Sequence, residues 1–328
     1  MPVILSGYRA PWFLRNGHAQ TFFPVLFRRV TGVRYNRDRL ELDDGDFLDL
    51  DWSRVGGRNL VIVVHGLEGS SLGAYVKGMV RAFNRRAWDA LAMNFRGCSG
   101  LPNRLLRSYH SGETGDLWRV AEYAAGKGYE RVALVGFSLG GNVTLKLLGD
   151  LGDRVPRWLT SAAGISVPCD LKASAEVMAS PGNRVYMKRF LLSLREKLRA
   201  RQPLFPKELN DSGYRRIRTF RDFDDRYTAP HHGFRDAEDY WARCSSRFVL
   251  EKIRCPALLL NATDDPFLAP ECFPRDLAAS HAWLHLETPA QGGHVGFVGG
   301  GLRHDEYYSE RRALEFLAPD SLSGSICR

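Results

Sequence analysis

The chain has 328 residues, 46 Lys and Arg against 37 Asp and Glu, and a formal net charge of +9. That length builds one large α/β domain or two small ones, and 44% hydrophobic with 25% charged residues is ordinary for a globular protein. No apolar run reaches the roughly 18–20 residues that span a bilayer. The positive charge is spread along the chain as arginines with no nucleic-acid motif beside them, so nucleic acid is not expected as a partner.

The N-terminal stretch has Arg9, Arg15 and aromatic residues but no apolar region leading to a cleavage site, so no signal peptide is expected. Cys98, Cys169, Cys244, Cys255, Cys272 and Cys327 form no C-x-x-C pair and no Cys/His cluster with zinc spacing. Free thiols, no metal, no cofactor and a reducing cytoplasm follow as expectations.

In chain order, residues 46–52 alternate polar and apolar, the pattern of a half-buried strand. Residues 59–65 hold the continuous apolar run Leu60-Val61-Ile62-Val63-Val64 and read as a central parallel strand. A helix is expected at 72–85, a strand at 88–95, a helix at 116–126, a strand at 131–137, a helix at 139–149 and a strand at 161–167. This alternation argues for a mostly parallel sheet with helices on both faces.

The rhythm stops after Pro168. Residues 168–247 read as a helical cap insertion into a core made of 1–167 and 248–328. Within it, 185–201 is amphipathic: Met187, Phe190, Leu191, Leu194 and Leu198 make one stripe, with Lys188, Arg189, Arg195, Lys197 and Arg199 largely off it. The stripe suits packing on the core, cover for an acyl chain, or at most peripheral contact with a membrane. Strands return at 257–261 and 283–287, and a last helix is expected at 306–317.

The richest segment is Gly136-Phe137-Ser138-Leu139-Gly140, at the junction of an expected strand and helix. A serine squeezed there takes a strained conformation, which small neighbours permit, and its hydroxyl is lifted out of the sheet. The helix N-terminus then points unpaired N–H groups at whatever sits on that hydroxyl. The spacing is neither that of a dinucleotide loop nor that of a phosphate-binding P-loop. It predicts a covalent intermediate on Ser138.

A nucleophilic serine needs a base, and the base an orienting acid, in the order Ser, Asp or Glu, His at successive strand ends. Asp265 is the favoured acid because Pro266 fixes the backbone beside it; Asp264 competes and Asp170 is a third candidate. Gly292-Gly293-His294 offers the base on a flexible loop, with His281, His285 and His304 as rivals. Oxyanion donors are expected at the Leu139 N–H and, past Gly66, at the Leu67 N–H. His65 reads as a loop-stabilising hydrogen-bonding group, and Glu68 as a cap on the helix that follows. Tyr186, Phe190, Phe234, Tyr240 and Trp241 are equally readable as pocket lining or core.

Together these segments resemble the YheT-like branch of α/β-hydrolases over nearly the whole chain. Carrying the resemblance are Asn16-Gly17-His18-Ala19-Gln20-Thr21, Asp44-Gly45-Asp46-Phe47-Leu48, His65-Gly66-Leu67-Glu68-Gly69-Ser70 and Asn94-Phe95-Arg96-Gly97-Cys98-Ser99-Gly100. Tyr109-His110-Ser111-Gly112, the Ser138 segment through Asn142, Asp264-Asp265-Pro266-Phe267 and Gly292-Gly293-His294 complete it. The resemblance implies an α/β-hydrolase fold with a helical cap, a triad of Ser138, Asp265 and His294, and cleavage of carboxylic esters with medium-chain or lipid-like acyl groups. Its relatives also bring the alternative of an acyltransferase to an alcohol, and a non-catalytic binding module on the same fold is a further alternative.

Overall fold

The computed structural model describes residues 3–299 and 306–319. Nine strands form one sheet: β1 (Val3–Ile4), β2 (Asn36–Glu41), β3 (Phe47–Ser53), β4 (Asn59–Val64), β5 (Asp89–Met93), β6 (Arg131–Phe137), β7 (Leu159–Ile165), β8 (Ala257–Leu260) and β9 (Leu284–Glu287). Their order is β1-β9-β8-β7-β6-β4-β5-β3-β2. Both antiparallel pairings involve β3; the other pairings are parallel.

The helices are α1 (Gly17–Phe27), α2 (Ala74–Asn84), α3 (Thr114–Ala125), α4 (Leu139–Leu151), α5 (Leu171–Met178), α6 (Arg184–Arg201), α7 (Phe220–Phe223), α8 (Ala229–His231), α9 (Ala237–Cys244), α10 (Arg275–Ser280) and α11 (Tyr308–Leu317). The expected strands and helices recur with ends shifted by a few residues. Strand β7 stops at Ile165 because the next two residues are taken elsewhere: Ser166 turns to φ 54° and Val167 N–H donates to Asn261 Oδ1 at 2.7 Å.

The period of two in β4 builds both layers. Leu60, Ile62 and Val64 pack with Leu117, Val120 and Ala121 of α3 and Val143 and Leu147 of α4. Val61 and Val63 face the other way, toward Val76, Met79 and Phe83 of α2 and Leu314 and Leu317 of α11. Each such fully buried side chain contributes about 1.5–3 kcal/mol relative to exposure.

Strand β3 corrects the half-buried reading of 46–52, since all its residues are buried. Its polar positions are covered by the arginines of β2, directly opposite in register. Arg37 forks onto Asp51 at 2.8 and 2.7 Å, and Arg39 onto Asp49 at 2.9 and 3.1 Å. Alternation in sequence reports chemistry, and here a charged neighbour buries the polar face.

Between β7 and β8 the described chain is helical, α5 to α9, with no strand. Its apolar residues form clusters of their own: Met187, Leu191, Leu198, Tyr214 and Tyr227 in one, Tyr240 and Trp241 in another.

Candidate active site

Ser138 sits between the end of β6 and the first turn of α4, at φ 53° and ψ −121°. The strain is held from both sides: its N–H donates to Ile165 O at 2.9 Å, and its carbonyl accepts from Asn142 N at 3.0 Å. Close packing explains the flanking glycines. A Cβ on Gly136 would fall 2.3 Å from Gly140 O, and one on Gly140 would fall 2.4 Å from His65 O.

The loop after β9 brings His294 to this serine. His294 Nε2 lies 2.9 Å from Ser138 Oγ, and Nδ1 lies 2.9 and 3.1 Å from the two Asp265 oxygens. Asp265 is a pure acceptor when ionised, so the ring proton resides on Nδ1 and Nε2 is left to accept the Ser138 proton. Asp265 is in turn anchored by Phe267 N–H at 2.9 Å, and the Phe267 ring covers the imidazole at 4.2 Å.

Helix α1 braces that loop, a role not read from the sequence. His294 N–H donates to Thr21 Oγ1 at 2.9 Å, and the Thr21 hydroxyl donates to Gly17 O at 2.7 Å. Gln20, fully buried, accepts from Val298 N at 3.0 Å and donates to Leu14 O at 2.9 Å. From the sheet side, Val295 N–H donates to Ser166 Oγ at 2.9 Å. The sequence does not reveal this bracing, because the contacts of Thr21, Gln20 and Ser166 with the 294–298 loop span more than a hundred residues.

The rival residues have other work. Asp264 accepts from Gly293 N–H at 2.8 Å, while the imidazole bonds to Asp265. Asp170 caps α5 through Ala173 N–H and pairs with Arg247 at 2.8 Å. His281 accepts from Trp283 and Leu284 N–H, and His285 packs edge-on to Phe316. His304 lies outside the described residues.

Loop 65–69 passes beside the serine, and a Cβ on Gly66 would sit 3.1 Å from Ser138 Cβ. Neither Leu67 N–H nor Leu139 N–H has an acceptor among the described residues. His65 is fully buried; burial pulls its pKa down to about 4, so it is neutral. Its Nδ1 contacts Gly66 O at 2.7 Å and Nε2 accepts from Phe95 N–H at 3.2 Å, which pins the loop to the segment after β5.

Glu68 corrects the helix-cap reading: the N-cap of α2 is Gly73, with no side-chain bond. The Glu68 carboxylate instead accepts from Tyr109 Oη (2.7 Å), Ser193 Oγ (2.8 Å) and Lys197 Nζ (2.7 Å). Burial alone would raise its pKa; Lys197 and these hydrogen bonds hold it below its ordinary value. Lys197, off the apolar stripe as expected, is the partner of that carboxylate, and both line one cavity.

These walls enclose a cavity of about 160 Å³ that reaches Ser138 and His294. Met178, Phe190, Leu194, Leu198 and Phe223 give it an apolar side. Of the five aromatic residues in doubt, Phe190, Tyr240 and Trp241 line it, whereas Tyr186 stacks on Phe22 and Phe234 packs on Tyr240. His110 also lines it and is neutral, with a pKa lowered to about 3 by burial and by neighbouring His232 and Arg107. Asn142 is a clamp: it donates to Ser111 O and Cys244 O and accepts from Ser246 N–H.

A family model described as alpha/beta hydrolase fold matches residues 59–300. The chain is 39% identical over 310 residues to YheT of Escherichia coli strain K12, named as a candidate esterase, covering 92% of this chain and 90% of that protein. It is 26% identical to Phospholipase ABHD3 of Mus musculus, over 96% of this chain and 79% of that one. The structure of the Pyrococcus furiosus esterase Pf2001 aligns with a TM-score of 0.56 over 94% of this chain and 98% of that chain, at 15% identity, a likeness of fold.

Proposed function

Because the chain belongs to the α/β-hydrolase family, we propose that it is a serine hydrolase cleaving carboxylic esters through an acyl-enzyme on Ser138. The observation that carries this reading is the continuous Ser138–His294–Asp265 hydrogen-bond chain on a strained serine. Ser138 Oγ attacks the ester carbonyl as its proton passes to His294 Nε2. Asp265 keeps the Nδ1–H tautomer and stabilises the imidazolium. The Leu67 and Leu139 N–H groups take the developing oxyanion, in keeping with their lack of internal acceptors.

The imidazolium then protonates the departing alkoxide. Water deprotonated by His294 attacks the acyl group, frees the acid and restores Ser138. Residues 168–247 act as a cap over a core of 1–167 and 248–328. The apolar cavity wall supports medium-chain or lipid-like acyl groups, as does the phospholipase named among the relatives. Five described cysteines, all free and buried, suit a reducing cytoplasm.

The test is labelling by a fluorescent fluorophosphonate, followed by an acyl-chain-length series of esters. Wild type is expected to label and turn over, and Ser138→Ala to lose both, with turnover down about 10⁴-fold or more. Unchanged hydrolysis by Ser138→Ala overturns the reading. Product analysis with added ethanol or glycerol separates hydrolysis from acyl transfer.

A further inference from the structure

Arg28, Arg96 and Arg201 are all nearly withdrawn from water, and two of them are neutralised. Arg28 pairs with Glu310. Arg96 forks onto Asp116 at 2.7 Å for both bonds and also reaches Asp44 and Asp46. Arg201, 3% exposed, contacts no carboxylate among the described residues: Asp46, bonded to Arg96 and Asn103, acts on it only through space, and the Phe205 ring lies 5.7 Å away. Its Nη2 donates to the carbonyls of Leu105 and Leu106, and its buried Nε has no partner at all. A buried cation without a counterion is strongly disfavoured, and carbonyl dipoles offset that only in part.

Arg201 lines the cavity that holds Ser138 and His294. The carboxylates of that wall are already engaged: Glu68 by Lys197, Tyr109 and Ser193, and Asp224 by Thr228 and Trp241. Lys197, one turn back on α6, is therefore taken by Glu68, and Arg201 is left with no carboxylate in contact among the described residues. A planar guanidinium lining a cavity is suited to the oxygens of a carboxylate or phosphate.

We propose that Arg201 receives an anionic group of the ligand, so that the cavity takes acyl compounds bearing a carboxylate or phosphate. This rests on the hydrolase reading only for which bond is cut; the binding itself does not need Ser138.

The test is calorimetric binding of octanoate, octyl phosphate and octanol to the full-length protein. At least one anion is expected to bind tenfold or more tighter than octanol, and the better of the two identifies the head group. In Arg201→Met that preference should fall below twofold. Arg201→Gln, which keeps a donor for the Leu105 and Leu106 carbonyls but no charge, must lose it too and serves if the methionine variant does not fold. Octanol binding wild type as tightly as both anions overturns the proposal, as does a preference that survives either variant. Failure of fluorophosphonate labelling would instead sink the hydrolase reading and leave the binding preference standing.

Discussion

The strand ends and the helical segment between β7 and β8 wall one cavity by different means. At the strand ends the backbone is strained: of the six non-glycine residues with positive φ among the described residues, five are Glu68, Ser138, Ser166, Val295 and Phe297. All five sit on the loops that converge on Ser138 and His294. Between β7 and β8, beyond Ser166, no non-glycine residue has positive φ. That segment is held by apolar clusters and by a charged latch, Lys197 on Glu68. One region spends backbone energy to fix atoms; the other spends side chains to decide what fits against them.

The sharpest way to break this contrast is at the adjacent aspartates. Asp265→Asn should lower ester turnover about 10³–10⁴-fold, because the imidazole loses its orienting charge. Asp264→Asn should cost less than tenfold, since Asp264 holds loop backbone N–H groups, Gly293 first among them, and not the imidazole. Steady-state kinetics on one ester compares them, and equal losses would deny the one-sided arrangement.

Next come two glycines. Gly140→Ala forces a Cβ onto the carbonyls of His65 and Val64, at 2.4 and 2.6 Å, and should destabilise by about 1–3 kcal/mol or more. Gly182→Ala, in the helical segment, meets nothing within 4 Å and should stay within about 0.5 kcal/mol of wild type. Urea unfolding of both variants measures the difference in tolerance directly.

Lys197→Met removes the cation from the buried Glu68 carboxylate and should cost about 2–4 kcal/mol. Adding Glu68→Gln should recover a large part of that loss, because no unpaired charge then remains; a double-mutant cycle reads the coupling.

The last comparison is a pH dependence. Burial pushes Asp224 up to about 7 from 3.8, so the folded state keeps a proton that the unfolded chain has released. Its contribution to stability therefore falls as pH rises from about 4 to about 7, and the loss is complete above that. Asp224→Asn has no such proton, so its stability relative to wild type should climb by about 2–4 kcal/mol across that window. A flat difference in denaturant midpoints between pH 4 and pH 8 would contradict this.

What the sequence disclosed follows from distance along the chain. The turn at Ser138 is legible because its strand, glycines and helix are contiguous. The aspartate facing His294 was favoured only through Pro266, a local cue to a contact 29 residues away. Glu68 was misread because its partners Ser193 and Lys197 lie 125 and 129 residues further on. The burial of β3 was missed for a similar reason: β2 supplies the arginines, and its Asn-Arg-Asp-Arg-Leu-Glu sequence does not look like a strand until its charges are matched.

Thr21 on α1 and His294 are joined across 273 residues of sequence. A ribosome makes the N-terminal end first, so a growing chain already carries Ser138 and its helix while the residue that would take its proton has yet to be synthesised. The brace waits for the loop throughout. On the proposed reading, Ser138 gains its base only once the loop after β9 has been made and docks against α1.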